Sequence, residues 1–369
     1  MAGAAQRVSG AAAALVAGRG IETAVAGTIV TEPGFHEASA RSKSIRDLGL
    51  TIAGTQLEPL IAELLAEVER AGVRRLKPRF YLSTEWGVPT DTIAIAIPFY
   101  LADPKLTALH AERAGYVEGR SHSDILRYLR HEMGHAVNYA YRLHEDPEWA
   151  RRFGSFTQPY IEEYRPQPFS RRYVRHLPGW YAQMHPEEDW AETFAVWLTP
   201  GRDWRSEYAG WPEALGKLEY CDRVLVQLGD REPLVSADHP DVDVSEVEES
   251  LDQFYDEPSP GEDEFPPALD GELRAVFEDP GSPAATPSSP DKAAAALIRR
   301  YEGALVADIY RWTGHVPEDS RLLVRHLAER ADHLQLRYPG EFEQRIVVGL
   351  TTLVTALAMN HVHYGTYLP

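Results

Sequence analysis

One cysteine, Cys221, is all that the 369 residues contain. An internal disulfide framework is therefore excluded, and a reducing compartment such as the cytoplasm is the expected setting. Because Cys221 lies in the apolar stretch 218–226, it reads as a buried structural thiol rather than a nucleophile. No hydrophobic run approaches the ~20 residues needed to cross a bilayer, so no membrane partner is expected. Positive charge is also scarce. Lys and Arg number 37 against 56 Asp and Glu, a formal charge of −19, which argues against nonspecific attraction to nucleic acid or anionic lipid. No internal repeat is visible.

The acidity is concentrated. Residues 231–292 hold eighteen Asp/Glu against three Lys/Arg, so the rest of the chain is nearly neutral. That stretch is also rich in Pro and Ser, with too little apolar surface to offset the entropy of ordering it. It is expected to be a solvated linker, with islands at 247–255 and 273–277 docking as single helical turns. Residues 1–40 are Ala/Gly-rich without a hydrophobic period and read as a disordered or loosely helical leader. A secretory signal is the alternative there, because an alanine-rich run at 11–17 follows Arg7 and Ala24-Val-Ala26 resembles a cleavage site.

The remaining stretches are periodic. Leu60, Ile61, Leu64, Leu65 and Val68 predict a helix within 57–73. Residues 79–82 and 92–97 read as strands, the second alternating with small residues. The aromatics of 204–211 read as core. Beyond the acidic stretch, 297–309, 321–334 and 342–359 are helical, and the last, apolar on most sides, is expected to be buried. His361-Val-His363 near the end is read as incidental. The chain thus divides into 1–40, a main domain at 41–230, a linker at 231–292 and an all-helical C-terminal module at 293–369. The fold class is α+β.

The chemistry concentrates in His131-Glu132-Met133-Gly134-His135. On a helix, residues i and i+4 share a face, so His131 and His135 can turn two imidazoles to one metal ion. Glu132 sits about 100° further round and can reach a metal-bound water. Zinc suits imidazole and carboxylate ligands and lowers the pKa of bound water to about 7. Ser121 and Ser123 offer cap side chains, and Ile125, Leu126, Leu129, Met133 and Val137 recur at helical spacing.

A catalytic zinc needs a third protein ligand. About fifty residues on, Pro186 opens another helix with acids in its first turn. Glu188 and Glu192 lie one turn apart on one face, so one could bind metal while the other orients a ligand histidine. Asp189 competes for the ligand position, and His185 is a further option better suited to capping or the rim. The extended pattern with a third histidine fails, since Tyr141 stands where that histidine would be and Asn138 where its glycine would be.

The His131-Glu132-x-x-His135 pair with Glu188-x-x-x-Glu192 resembles a gluzincin peptidase, the second helix being similar to that of anthrax lethal factor. More specifically, the motifs at 45–48, 94–100, 129–135, 170–174 and 179–182 resemble a bacterial family of zinc-binding metallopeptidases, over roughly 41–230. The resemblance implies a gluzincin-like core of a small sheet and two metal-site helices, one Zn²⁺ per chain on His131, His135 and Glu188, and Glu192 as the supporting acid. Glu132 would be the general base, and Tyr181 the donor to the oxyanion. It also implies a cleft-bordering strand that pairs with an extended substrate, for which Ile95 and Ile97 in 92–99 are the candidates. Arg171 and Arg172, in a basic cluster with Arg165, Arg175 and His176, are candidates for a substrate carboxylate or acidic side chain, with salt bridges to acidic segments of the same protein as the competing reading. The expected function is hydrolysis of a peptide or protein amide bond. Two alternatives stay open, a retired zinc-binding scaffold and a zinc amidase acting on a small molecule. Substrate identity and oligomeric state are not legible.

Overall fold

Leu57, Leu60, Leu64 and Val68 build helix α1 (Leu57–Arg70) and bury one face of it. The structure, a computed structural model, describes residues 42–367 apart from 115, 161–165, 168–169, 256–268 and 281–290. The expected leader and Arg165 lie outside the described residues. Helix α2 (His122–Tyr141) packs on α1, where Arg130 donates two hydrogen bonds of 2.7 Å to the buried Glu67. Ser121 caps α2 by accepting from the Asp124 N–H at 3.2 Å, and Arg142 at φ 50° ends it. Helix α3 (Pro186–Leu198) begins where the His185 ring accepts from the Glu187 N–H at 3.2 Å, with Pro186 in the first turn. Three acids follow in that turn, where the helix dipole favours negative charge. Helix α4 (Pro212–Leu228) packs on the outer side of α3.

Strands β1 (Arg79–Ser83) and β2 (Ala94–Pro98) pair in parallel, with Arg79 opposite Ala94. Every residue of β2 is buried. Its second edge is closed too, because the Ala96 N–H donates to the Gly87 carbonyl at 2.8 Å. The small sheet among helices makes the fold α+β, as the sequence predicts.

The acidic stretch is largely exposed along its first part but is tied to the main domain. The Leu234 and Val235 N–H groups donate to the Ala140 carbonyl at 2.7 and 3.1 Å, and the Ile93 N–H donates to the Ala237 carbonyl at 2.7 Å. The Ile45 N–H donates to the Glu249 carbonyl at 2.8 Å, Leu251 is fully buried, and Phe254 meets Phe99 edge-on. Main-chain pairing orders 231–246, which composition does not register, while the island expected at 247–255 docks through Leu251 and Phe254. Leu269, Leu273 and Phe277 join the C-terminal core. The Pro-rich stretches at 256–268 and 281–290 lie outside the described residues.

That core is built by helices α5 (Ala294–Thr313), α6 (Pro317–His333) and α7 (Glu343–Tyr364), around Leu297, Leu305, Leu323, Leu327, Leu350 and Leu357. Full burial of α7 was the expectation, and this is corrected. Leu350, Val354, Leu357, Ala358 and Val362 form one buried stripe, while Val348 is 66 % exposed. The helical span Gly340–Tyr364 is also long and apolar enough to cross a membrane by length and composition, contrary to the expectation that no run is. Its buried stripe is what a core helix of a small bundle needs. The expectation missed the span because Thr351, Thr352 and Thr355 break its apolar run, yet their hydroxyls bond back to carbonyls within the helix.

Candidate metal centre

Helices α2 and α3 cross where Gly134 meets Ala191. A Cβ on Gly134 would stand 2.8 Å from Ala191 Cα, so only glycine permits this approach. The Trp190 indole N–H ties the crossing by donating to the Gly134 carbonyl at 2.8 Å. His131 and His135 flank Gly134 on α2, and Glu188 and Glu192 flank Ala191 at the same offsets on α3. The crossing therefore sets the four side chains face to face.

His131 Nε2 and His135 Nε2 are 3.1 Å apart, and Glu188 Oε2 lies 3.1 Å from the first and 3.3 Å from the second. All three residues are buried. Tetrahedral bonds of about 2.0–2.1 Å place ligand atoms about 3.3 Å apart, so this triangle has the edges a zinc ion requires. The other ring nitrogens face carboxylates: His131 Nδ1 lies 3.0 Å from Glu192 Oε1, and His135 Nδ1 lies 3.3 Å from Glu187 Oε1. With a metal bound, these partners would hold the proton of each ring on Nδ1 and turn the Nε2 lone pair into the triangle. Two ring nitrogens and a carboxylate oxygen converging at this range need a cation among them, a proton in the free site or a metal ion in the loaded one. Residues 115–201 match a protein-family model described as "Putative zinc-binding metallo-peptidase". The match covers the segment that carries both metal-site helices. No curated protein and no solved structure matches the chain.

The electrostatics of this segment agree with the donor set. Burial lowers the His131 pKa, but hydrogen bonds to Glu188 and Glu192 outweigh it and carry it up to about 9. For His135, burial is likewise overcome by Glu188 and Glu187, and its pKa is well above the ordinary histidine range. A field that holds cations on the rings also favours one between them. Burial raises the Glu132 carboxyl, opposed by the charges of His131 and His135.

Glu132 faces a cavity of 450 Å³ whose walls include the two histidines, Glu187, Glu188, Tyr160 and Tyr181. Its carboxylate makes no hydrogen bond among the described residues. Tyr181 reaches this cavity because Gly179 and Trp180 both take left-handed backbone, at φ 78° and 61°, kinking the segment Pro178–Gln183. The Tyr181 ring meets His131 edge-on at 5.6 Å. The charge of Glu188, followed by burial, holds its phenol well above the usual tyrosine range.

Glu192 accepts from the main-chain N–H groups of His176 and Leu177 at 3.1 and 2.9 Å, which fixes it behind His131. Two contacts escaped the sequence reading. Glu187 stands behind His135 and accepts from the Tyr139 hydroxyl. The Tyr160 hydroxyl donates to Glu188 Oε1 at 2.8 Å, leaving Oε2 for the triangle. A carboxylate one residue before a ligand is a usable signal, whereas the isolated Tyr160 carries none.

The competing ligand lies elsewhere. Asp189 turns away from the histidines to Lys217 on α4, whose Nζ donates to it at 2.5 Å in a buried pair. His185 caps α3, as described above. Lys217→Met is expected to cost about 3–5 kcal/mol, because it strands a buried carboxylate. Urea denaturation checks this. The double variant Lys217→Met/Asp189→Leu should recover much of the loss, and a single variant as stable as the parent contradicts the argument.

The substrate candidates need correction. Ile95 and Ile97 are fully buried in β2 and absent from the cavity wall. With both edges of β2 taken, the cleft rim falls instead to the loop after β1, where Glu85, Trp86, Gly87, Val88 and Thr90 line the cavity. Arg171 and Arg172 are exposed and also absent from its wall. Arg172 pairs with Glu213 at 2.7 Å on the outer surface. Arg175 is stacked over Trp180 and Trp211, and His176, lowered to about 4 by burial, donates to the Arg127 carbonyl. Within the described part of the basic cluster, Arg175 buttresses the segment that carries Tyr181 through Trp180.

Proposed function

We propose that this chain is a zinc-dependent peptidase that hydrolyses a peptide or protein amide bond, with one zinc per chain on His131, His135 and Glu188. The observation that carries the reading is the triangle of converging ligand atoms beside the Glu132 carboxylate, which has no hydrogen bond among the described residues, on the wall of a substrate-sized cavity. When bound, zinc supplies Lewis acidity to a water molecule and to the scissile carbonyl oxygen. Glu132 accepts the proton of the attacking water and passes it to the leaving amine. Its burial raises the carboxyl toward the range in which it can both take and return a proton. Tyr181, kept protonated by its surroundings, donates to the carbonyl oxygen as negative charge develops there. Glu192 and Glu187 hold the imidazoles in the tautomer that ligates.

Elemental analysis of the purified protein is expected to give one zinc per chain. In His131→Ala/His135→Ala the metal should fall to background. Full retention of zinc by that variant rejects the ligand assignment.

A further inference from the structure

The metal-site cavity does not end at Tyr181. A second cavity of 320 Å³ adjoins it and shares four wall residues with it, Glu85, Glu118, Tyr181 and Tyr310. Tyr310 comes from α5, so the C-terminal module forms part of the cleft. Gly179 makes room for it: a Cβ there would lie 2.5 Å from the Tyr310 ring.

The chemistry of this second cavity is one-sided. Its polar walls are two carboxylates and a group of phenols, Tyr100, Tyr116, Tyr181 and Tyr310. The Tyr116 and Tyr310 rings meet edge-on at 5.3 Å. Burial raises the phenols of both Tyr100 and Tyr116, and the charge of Glu118 adds to the rise in each, as expected for a carboxylate set near them. Neither wall holds a lysine or arginine among the described residues. The one weak base, His110, is kept neutral: burial, then the charge of Arg321, lowers it to about 4. Carboxylates together with aromatic faces attract an ammonium or guanidinium group and repel an anion.

We infer that the second cavity is a specificity subsite for a basic side chain, lysine or arginine, next to the scissile bond, with Glu85 and Glu118 as its charge partners and the tyrosines as its walls. The assignment rests on the peptidase reading but is tested by binding, without turnover. The probes are hexapeptides, acetylated and amidated, identical except for lysine, arginine, norleucine or glutamate at one central position. Their affinity for zinc-loaded Glu132→Gln protein is measured by isothermal titration calorimetry.

The lysine and arginine peptides are expected to bind about 10–100-fold more tightly than norleucine, with glutamate weakest. Glu85→Gln/Glu118→Gln should reduce that preference to less than about threefold while zinc content and melting temperature hold. Glu85→Gln alone, at an exposed position, should narrow it partially and guards against a folding defect in the double variant. Equal binding of lysine and norleucine peptides, no binding of either basic peptide, or a preference that survives the double variant overturns the subsite. A free-amino-terminal norleucine peptide that matches the acetylated lysine peptide reassigns the cavity to a terminal amine and also overturns it. Cleavage of the same peptides by the parent protein is scored separately. Selective binding without cleavage leaves the subsite standing and counts against the peptidase.

Discussion

Gly134→Ala is expected to weaken zinc binding by at least about tenfold and to lower the melting temperature, although alanine is the better helix former. The intrinsic gain from replacing glycine within a helix is about 1 kcal/mol. Against it stands the close approach of α2 and α3, where the added Cβ would meet Ala191 Cα at 2.8 Å and the Ala191 carbonyl oxygen at 3.1 Å. Those are backbone atoms, which cannot rotate aside. Overpacking of this kind costs about 1–3 kcal/mol, so it outweighs the propensity gain. The helices can relieve it only by separating, and ligand distances tolerate only about 0.2 Å. His131 and His135 would then draw away from Glu188, and their supporting acids would follow. Loss of such supporting contacts alone costs about 10–100-fold in metal affinity. Chelator competition measures the affinity, and melting with and without zinc measures the stability. An unchanged affinity with a raised melting temperature would show that the crossing does not set the site.

Much of this arrangement can be read from the chain without a structure, and the exceptions share a cause. The helix of His131 and His135 announces itself through the Ser121 cap and its apolar spacing, because both signals are local. Glu188 and Glu192 are legible as a pair for the same reason. That Asp189 turns away depends on Lys217, a residue on the next helix whose direction no local period reveals. Glu187 is reached by His135 only because α2 and α3 cross so closely, and Gly134 inside a helical pattern was the trace of that crossing. The segment 92–97 was recognisable as a strand, but not that Gly87 would close its edge and hand the cleft rim to the preceding loop. Composition made residues 231–246 look like an untethered linker, while main-chain hydrogen bonds with Ala140 and Ile93 hold them. The C-terminal helices looked separate for the same reason. Tyr310, packed over the bare Cα of Gly179, joins them to the cavity.

Glu132→Gln is expected to leave zinc content, melting temperature and KM unchanged while lowering kcat by about 10²–10⁴-fold. Glu132 contributes no corner to the triangle of His131, His135 and Glu188, so the metal has no reason to leave. Glutamine keeps the length and shape of the side chain but cannot accept the proton of the attacking water, so the loss falls on the chemical step rather than on binding. Tyr181→Phe gives a second, independent measure. It deletes one hydroxyl from the cavity wall, and removal of a single oxyanion donor costs about 10²–10³-fold in kcat. The two variants also separate an enzyme from a protein that merely binds zinc, since a structural site needs neither a base nor an oxyanion donor. Steady-state kinetics on a peptide cleaved by the parent protein, with zinc measured on the same samples, decides between them. Cleavage by Glu132→Gln at the parental rate, with full zinc occupancy, would remove Glu132 from the mechanism and leave the cavity to some other base.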